Sequence, residues 1–158
     1  MSNLRRILVV DDEEDVRETL SNVLKSLSYE PYTAASGPEA LEIIKNTSID
    51  VVLSDLYMPE MDGIELLKRI RTIDPKMVFL MITAHPTIET AVEAIKKGAY
   101  DYLTKPFHIE EVRLKINRAL EKKGMAHSLK TANGIIWALL ISIPIWLVLG
   151  IVLASLLE

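Results

Sequence analysis

The sequence has no cysteine, which excludes disulfides and thiolate metal sites and leaves no thiol to report on a redox compartment. It has no glycine-rich lysine loop of the kind that cradles phosphates, so nucleotide hydrolysis is unsupported. Positive charge is not in excess. With 18 Lys and Arg against 22 Asp and Glu, the formal net charge is −4, and there is no electrostatic reason to expect nucleic acid as a partner. The N-terminus, MSNLRR, leads into a short strand-like run, which is not the pattern of a signal peptide. Charge is also missing from one long stretch. Every Lys and Arg lies at or before Lys130, Glu158 is the only charge after it, and residues 135–157 (IIWALLISIPIWLVLGIVLASLL) are 23 residues without a charge. The chain therefore has two parts suited to different solvents. Its 158 residues suit one ordinary domain plus an appendage.

Residues 5–121 carry alternating strand and helix signals. Continuous aliphatic runs at 7–10, 51–53 and 78–82 suit strands covered on both faces, as in parallel sheets, with weaker candidates at 31–35 and 100–103. Between them lie five apolar stripes of helical spacing. These are Val16, Leu20, Val23, Leu24 and Leu27; Ala40, Leu41 and Ile44; Ile64, Leu67 and Ile70; Ile88, Ala91, Val92 and Ile95; and Ile109, Val112, Ile116 and Leu120. Pro near helix starts and Gly98 just past an end agree with normal helix punctuation. Five βα units with right-handed crossovers predict an α/β fold, a doubly wound parallel sheet with helices on both faces. In such sheets ligands bind beyond the carboxyl ends of the strands.

Those ends are polar. The first strand runs straight into DDEED, residues 11–15, five carboxylates in a row. Two unit charges about 4 Å apart repel by roughly 4 kcal/mol at an effective dielectric near 20, so this charge needs something to offset it. The third strand ends at Ser54-Asp55, the fourth at Thr83-Ala84 and the fifth at Thr104-Lys105-Pro106. Each residue has a plain structural alternative. Asp12 could cap the next helix in a box-like pair with Asp15, Asp55 could begin a turn, Thr83 could be an ordinary strand residue, and Lys105 a solvated charge. The joint pattern, one polar group per strand end, points instead to a shared crevice of three carboxylates, a hydroxyl and an ammonium.

The segments LVVDDEED, VVLSDLYMPEMDG, MITAH and GAYDYLTKPF resemble the signature segments of response-regulator receiver domains of two-component signalling, over roughly residues 4–121. The run from MITAH to LTKPF is most similar to the NtrC-like receiver group. The resemblance implies a flavodoxin-like five-stranded parallel sheet of order 2-1-3-4-5. It implies that Asp55 is the phosphoacceptor and that Thr83 and Lys105 contact the phosphoryl group. Asp11, Asp12, Asp55 and the backbone carbonyl of Tyr57 would hold a divalent cation, and the Lys105–Pro106 peptide bond would be cis. The expected cofactor is Mg²⁺, with Mn²⁺ as the alternative ion; all-oxygen ligands with retained waters suit it, and it would neutralise the clustered carboxylates. The expected partner is a sensor histidine kinase or phosphotransfer protein. Thr83 and Tyr102 are implied as the conformational switch, and Tyr57 and His85, two residues beyond Asp55 and Thr83, as residues that tune phosphoryl lifetime. The chain is expected to be no enzyme beyond catalysing its own Mg-dependent phosphorylation and dephosphorylation. A metal-dependent phosphatase would need a second Asp where Tyr57 stands. The alternative of another class is a non-phosphorylated membrane adaptor that keeps only the receiver fold.

The domain reading is a receiver at 1–121, a polar linker at 122–134 (KKGMAHSLKTANG) and a transmembrane helix at 135–157. At 1.5 Å per residue, 23 helical residues extend about 34 Å against a hydrocarbon core of about 30 Å. Fifteen of them are Leu, Ile or Val, together worth on the order of −5 to −9 kcal/mol of insertion energy before Pro144 and the Ser residues are subtracted. Lys122, Lys123 and Lys130 precede the run and no Lys or Arg follows, so the expected location is a single-pass membrane tail with the receiver facing the cytoplasm. Gly134, Ala138, Ser142, Gly150 and Ala154 recur at multiples of four, which adds a homodimer through tail or receiver to the expected partners. No DNA-binding or enzymatic output domain fits the remaining residues, so output is expected through protein contact, tail association or competition for phosphoryl groups.

Overall fold

Aliphatic runs with no polar face can be buried only where both sides are covered, and the five strands take such positions. The computed structural model describes residues 4–84 and 86–122. The elements in chain order are β1 (Arg6–Val10), α1 (Glu14–Ser26), β2 (Glu30–Ala34), α2 (Gly37–Asn46), β3 (Val51–Asp55), α3 (Gly63–Ile73), β4 (Val78–Thr83), α4 (Ile88–Lys96) and β5 (Asp101–Thr104). A further helix, α5, occupies residues 109–122. The strands form one parallel sheet in the order β2-β1-β3-β4-β5, the flavodoxin-like order expected. Up to Leu120 these elements make one compact unit.

Alternation along the strands divides the core into two layers. Ile7, Val9, Leu53, Leu80 and Ile82 face α1 and α5 through Leu20, Leu24, Val112 and Ile116. Leu8, Val10, Val52, Phe79 and Met81 face α2 and α3 through Ala40, Ile64, Leu67 and Ile70. Each fully buried aliphatic side chain contributes about 1.5–3 kcal/mol, an upper figure because unfolded chains already hide some apolar surface. All residues of β3 and β4 are buried, whereas the edge strand β2 is mostly half-buried, which explains its weaker sequence signal.

Helix starts are set locally. Ser36 caps α2, Asp62 accepts from Glu65 N at 2.7 Å to cap α3, and Thr87 with Thr90 closes a capping box on α4. At α1 the Asp12–Asp15 box, the structural alternative for Asp12, is not formed. The N-cap is Glu13, whose side chain makes no cap bond, and Glu14 and Asp15 instead complement the helix dipole in the first turn. The apolar stripe read on α4 is also not the buried one. Ile88, Val92 and Ile95 are 80%, 44% and 46% exposed, and the helix buries Ala94. Its C-terminal end is held by a turn at Gly98, φ +102°, where the absent Cβ leaves room for the Arg71 guanidinium, which donates to the carbonyls of Met77 and Gly98.

Among the described residues no helix is long and apolar enough to cross a membrane. The expected span at 135–157, all but the first residue of the expected linker, and His85 lie outside the described residues.

Candidate functional site

Parallel order carries the ends of β1, β3, β4 and β5 to one edge of the sheet, and the buried polar residues of the fold collect there. Asp11 is 0% exposed, Ser54 0%, Thr83 4% and Asp55 7%. Asp11 follows β1 and is fixed by its backbone N–H donating to the Ala34 carbonyl at 3.2 Å. The next turn is clamped by Arg17, whose Nη1 donates to the carbonyls of Asp11 at 2.7 Å and Asp12 at 3.0 Å. Asp55 ends β3. Its Oδ2 accepts from Tyr57 N at 3.1 Å, and the chain then doubles back so that Gly63 N donates to the Leu56 carbonyl. A Cβ at Gly63 would lie 2.3 Å from the Asp55 carbonyl oxygen, so only glycine lets α3 start this close to the end of β3.

Lys105 reaches in from beyond β5, with its backbone N–H on the Thr83 carbonyl at 2.8 Å and a cis bond to Pro106. Its Nζ lies 2.8 Å from Asp11 Oδ2, 3.2 Å from Asp55 Oδ1 and 3.4 Å from Glu13 Oε1. One ammonium thus serves several carboxylates, and the protonation tendencies follow. Burial raises the Asp55 carboxyl above its ordinary value; Lys105 opposes this and the Asp11 charge adds to it. For Lys105 burial disfavours charge, but the hydrogen bond to Asp11 and the charges of Asp55 and Asp11 outweigh it and hold the ammonium above the usual lysine value.

The site therefore joins Asp11, Asp55 and Lys105, with Thr83 at the end of the adjacent strand. Asp12 is exposed, and among the described residues no three carboxylate or imidazole side chains stand together at metal-binding spacing. Lys105 bridges Asp11 and Asp55 instead. The donor set still fits a hard cation, since every ligand offered is oxygen and one ammonium cannot neutralise Asp11, Asp55 and Glu13 together. Tyr57 is exposed. Tyr102, at the outer edge on β5, lines an apolar cleft with Leu56, Met81, Thr83 and Ala94, and its ring lies 5.2 Å from Lys115 Nζ. Lys115 also pairs with Asp101 at 2.8 Å.

Two residues of this site, Glu13 and Arg17, were not read from the sequence. Glu13 looked like one more acid in a run of five, and its contact is with a residue 92 positions away. Arg17 had a faint signal as the first basic residue after that run. Chemically, a buried carboxylate held by a backbone N–H beside a fixed cation is equipped to attack an electrophile that itself carries negative charge.

Comparison with known proteins places the chain in a family. Residues 7–117 match the family model described as the response regulator receiver domain. The chain is 41% identical over 130 residues to the regulatory protein AtoC of Escherichia coli (strain K12), covering 82% of this chain and 28% of AtoC. It is 40% identical over 114 residues to the DNA-binding transcriptional regulator NtrC of the same strain, covering 72% of this chain and 24% of NtrC. The chain thus spans about a quarter of the length of these curated relatives. A crystal structure of a response regulator receiver domain protein from Clostridium thermocellum superposes with a TM-score of 0.74 at 35% identity, covering 78% of this chain and 99% of that one.

Proposed function

This chain belongs to the response regulator receiver domain family, with NtrC-like relatives, and on that premise we propose that Asp55 accepts a phosphoryl group from a histidine kinase or phosphotransfer protein. The observation that carries the proposal is the convergence of Asp11, Asp55 and Lys105, with Lys105 Nζ within 3.2 Å of both carboxylates. Phosphoryl transfer needs in-line positioning and charge neutralisation more than covalent help. Asp55 is the nucleophile, positioned by Tyr57 N–H; Lys105 holds a phosphoryl oxygen; the Thr83 hydroxyl donates to another. Receiver domains bind Mg²⁺ at this site, and here Asp11, Asp12, Asp55 and the Tyr57 carbonyl would hold it. When bound, the ion supplies positive charge against the phosphoryl oxygens. Tyr57 and His85 slow the approach of hydrolytic water, and acyl-phosphate decay in His85→Ala measures that role, an unchanged lifetime removing it.

The signal leaves through Thr83 and Tyr102. The cleft that both residues line supports this, being apolar, and Tyr102 is 36% exposed. Movement of Thr83 toward a phosphoryl group opens that cleft to the ring, and the exposed apolar face of α4 alters with it. The chain acts as no enzyme beyond its own modification. The membrane anchor at 135–157, with the receiver facing the cytoplasm, is supported by the 23 uncharged residues and by Lys122, Lys123 and Lys130 on one side alone. Carbonate-resistant retention in the membrane fraction, lost on truncation after residue 134, tests it. The net negative charge supports a receiver that makes no nucleic-acid contact of its own. DNA binding is named for a relative of which this chain spans 24%.

Incubation of the purified chain with acetyl phosphate and Mg²⁺, read by intact mass, tests the proposal. One added phosphoryl group is expected, and none on a folded protein would favour an adaptor that keeps only the fold.

A further inference from the structure

The Lys105 ammonium has three protons to donate, and three carboxylates surround it. Asp11 Oδ2 lies at 2.8 Å, Asp55 Oδ1 at 3.2 Å and Glu13 Oε1 at 3.4 Å. If Lys105 is to hold a phosphoryl oxygen, a role that rests on the reading above, one of these contacts must be given up. They are not equivalent. Asp11 is fully buried, and a buried carboxylate stripped of its cation is strongly unfavourable. Asp55 is the residue that carries the phosphoryl group. The Glu13 side chain is 67% exposed and its contact is the longest of the three, so water replaces it at little cost.

Glu13 is the N-cap of α1 through its backbone, and among the described residues its carboxylate pairs with Lys105. Its backbone N–H donates to Asp11 Oδ1 at 3.0 Å, which fixes the residue at the rim of the site, while its side chain takes no part in capping α1. We propose that Glu13 is a positioning residue whose carboxylate stands in for the phosphoryl oxygen on Lys105 and is displaced when the phosphoryl group arrives. In the transfer step an Asp55 carboxylate oxygen bonds to phosphorus as the bond from phosphorus to the acetyl oxygen of the donor breaks. Acetate leaves as an anion and no proton changes hands. Lys105 exchanges Glu13 for a phosphoryl oxygen, and Glu13 turns to solvent. Glu13 therefore competes with the incoming group and slows its capture.

The test uses the full chain at saturating Mg²⁺, comparing Glu13→Gln with Glu14→Gln. Glu14 is the exposed next residue, and its replacement removes the same formal charge. Glu13→Gln is expected to raise the second-order rate with acetyl phosphate about threefold to fivefold, the factor an exposed ion pair is worth. It should lower the half-saturating concentration of beryllofluoride by a similar factor. Glu14→Gln should change either quantity less than about twofold, the share of long-range charge alone. Labelling of all three proteins with Glu13→Gln no faster than Glu14→Gln, or an unchanged beryllofluoride half-saturation, would overturn this proposal alone. No label on any of them would remove the phosphoacceptor reading, and this proposal with it.

Discussion

Replacing Lys105 with methionine removes the cation shared by Asp11 and Asp55 and leaves an unbranched side chain one heavy atom shorter. Because Nζ lies 2.8 Å from one carboxylate and 3.2 Å from the other, the two oxygens are within about 6 Å of each other. At an effective dielectric near 20 their repulsion is then about 3 kcal/mol, at the lower edge of the roughly 3–5 kcal/mol lost when one partner of a buried pair is deleted. Lys105→Met should therefore lower the urea-unfolding free energy by about 3 kcal/mol at neutral pH without divalent ions. Mg²⁺ should restore much of it, since a ligand at a hundred times its dissociation constant adds about 2.7 kcal/mol. The pH dependence has a definite sign. The folded Asp55 carboxyl lies above its ordinary value of 3.8, so between the two values the folded state binds more protons than the unfolded. Stability then falls as pH rises through that window, and the whole cost is present above the folded value. In Lys105→Met the ammonium that opposed the rise is gone, so the window extends upward and the loss should shrink as the pH is lowered through it. Urea titrations followed by far-UV circular dichroism at several pH values, with and without Mg²⁺, measure all of this. A loss under about 1 kcal/mol, or no recovery with Mg²⁺, would refute the electrostatic reasoning.

The remaining expectations concern the routes into and out of the site. Lys115→Met removes a partly buried cation from the Tyr102 ring, worth about 1 kcal/mol, and should shift the ring inward about fivefold in population; unchanged Tyr102 ring resonances in NMR spectra would count against it. Gly63→Ala forces a Cβ to within 2.3 Å of the Asp55 carbonyl oxygen, where backbone must move. A stability loss of about 1–3 kcal/mol is expected, with slower phosphorylation because Asp55 is displaced; a wild-type urea midpoint and rate would mean that α3 shifts freely.

Which features were legible in the sequence follows from how local their causes are. The strand order 2-1-3-4-5 came with the resemblance to receiver domains, whereas the central strands were plain because a run such as Val51–Leu53 has no polar side to turn outward and right-handed crossovers make the sheet parallel. The polar residues at the strand ends could be assigned to one edge for the same reason, and Asp11, Asp55 and Lys105 do meet there. Helix α4 was legible as a helix, but periodicity reports an apolar face without saying what it touches. Its stripe of Ile88, Val92 and Ile95 lies outward, and small Ala94 packs inward. The exact start of α1 was open because a run of carboxylates offers several equivalent caps, and the backbone chose Glu13 without using its side chain. Glu13 and Arg17 were missed for different reasons. The first depends on a lysine distant in sequence, the second on carbonyl oxygens that no side-chain motif records.

The central claim is that one particular carboxylate of this cluster carries the phosphoryl group. Borohydride reduction of the acetyl-phosphate-treated protein, followed by peptide mapping, reads it out residue by residue. The account predicts a single reduced residue at position 55, formed only with Mg²⁺ present and absent from Asp55→Asn. Modification at Asp11, Asp12 or Glu13, or undiminished labelling of Asp55→Asn, would contradict it.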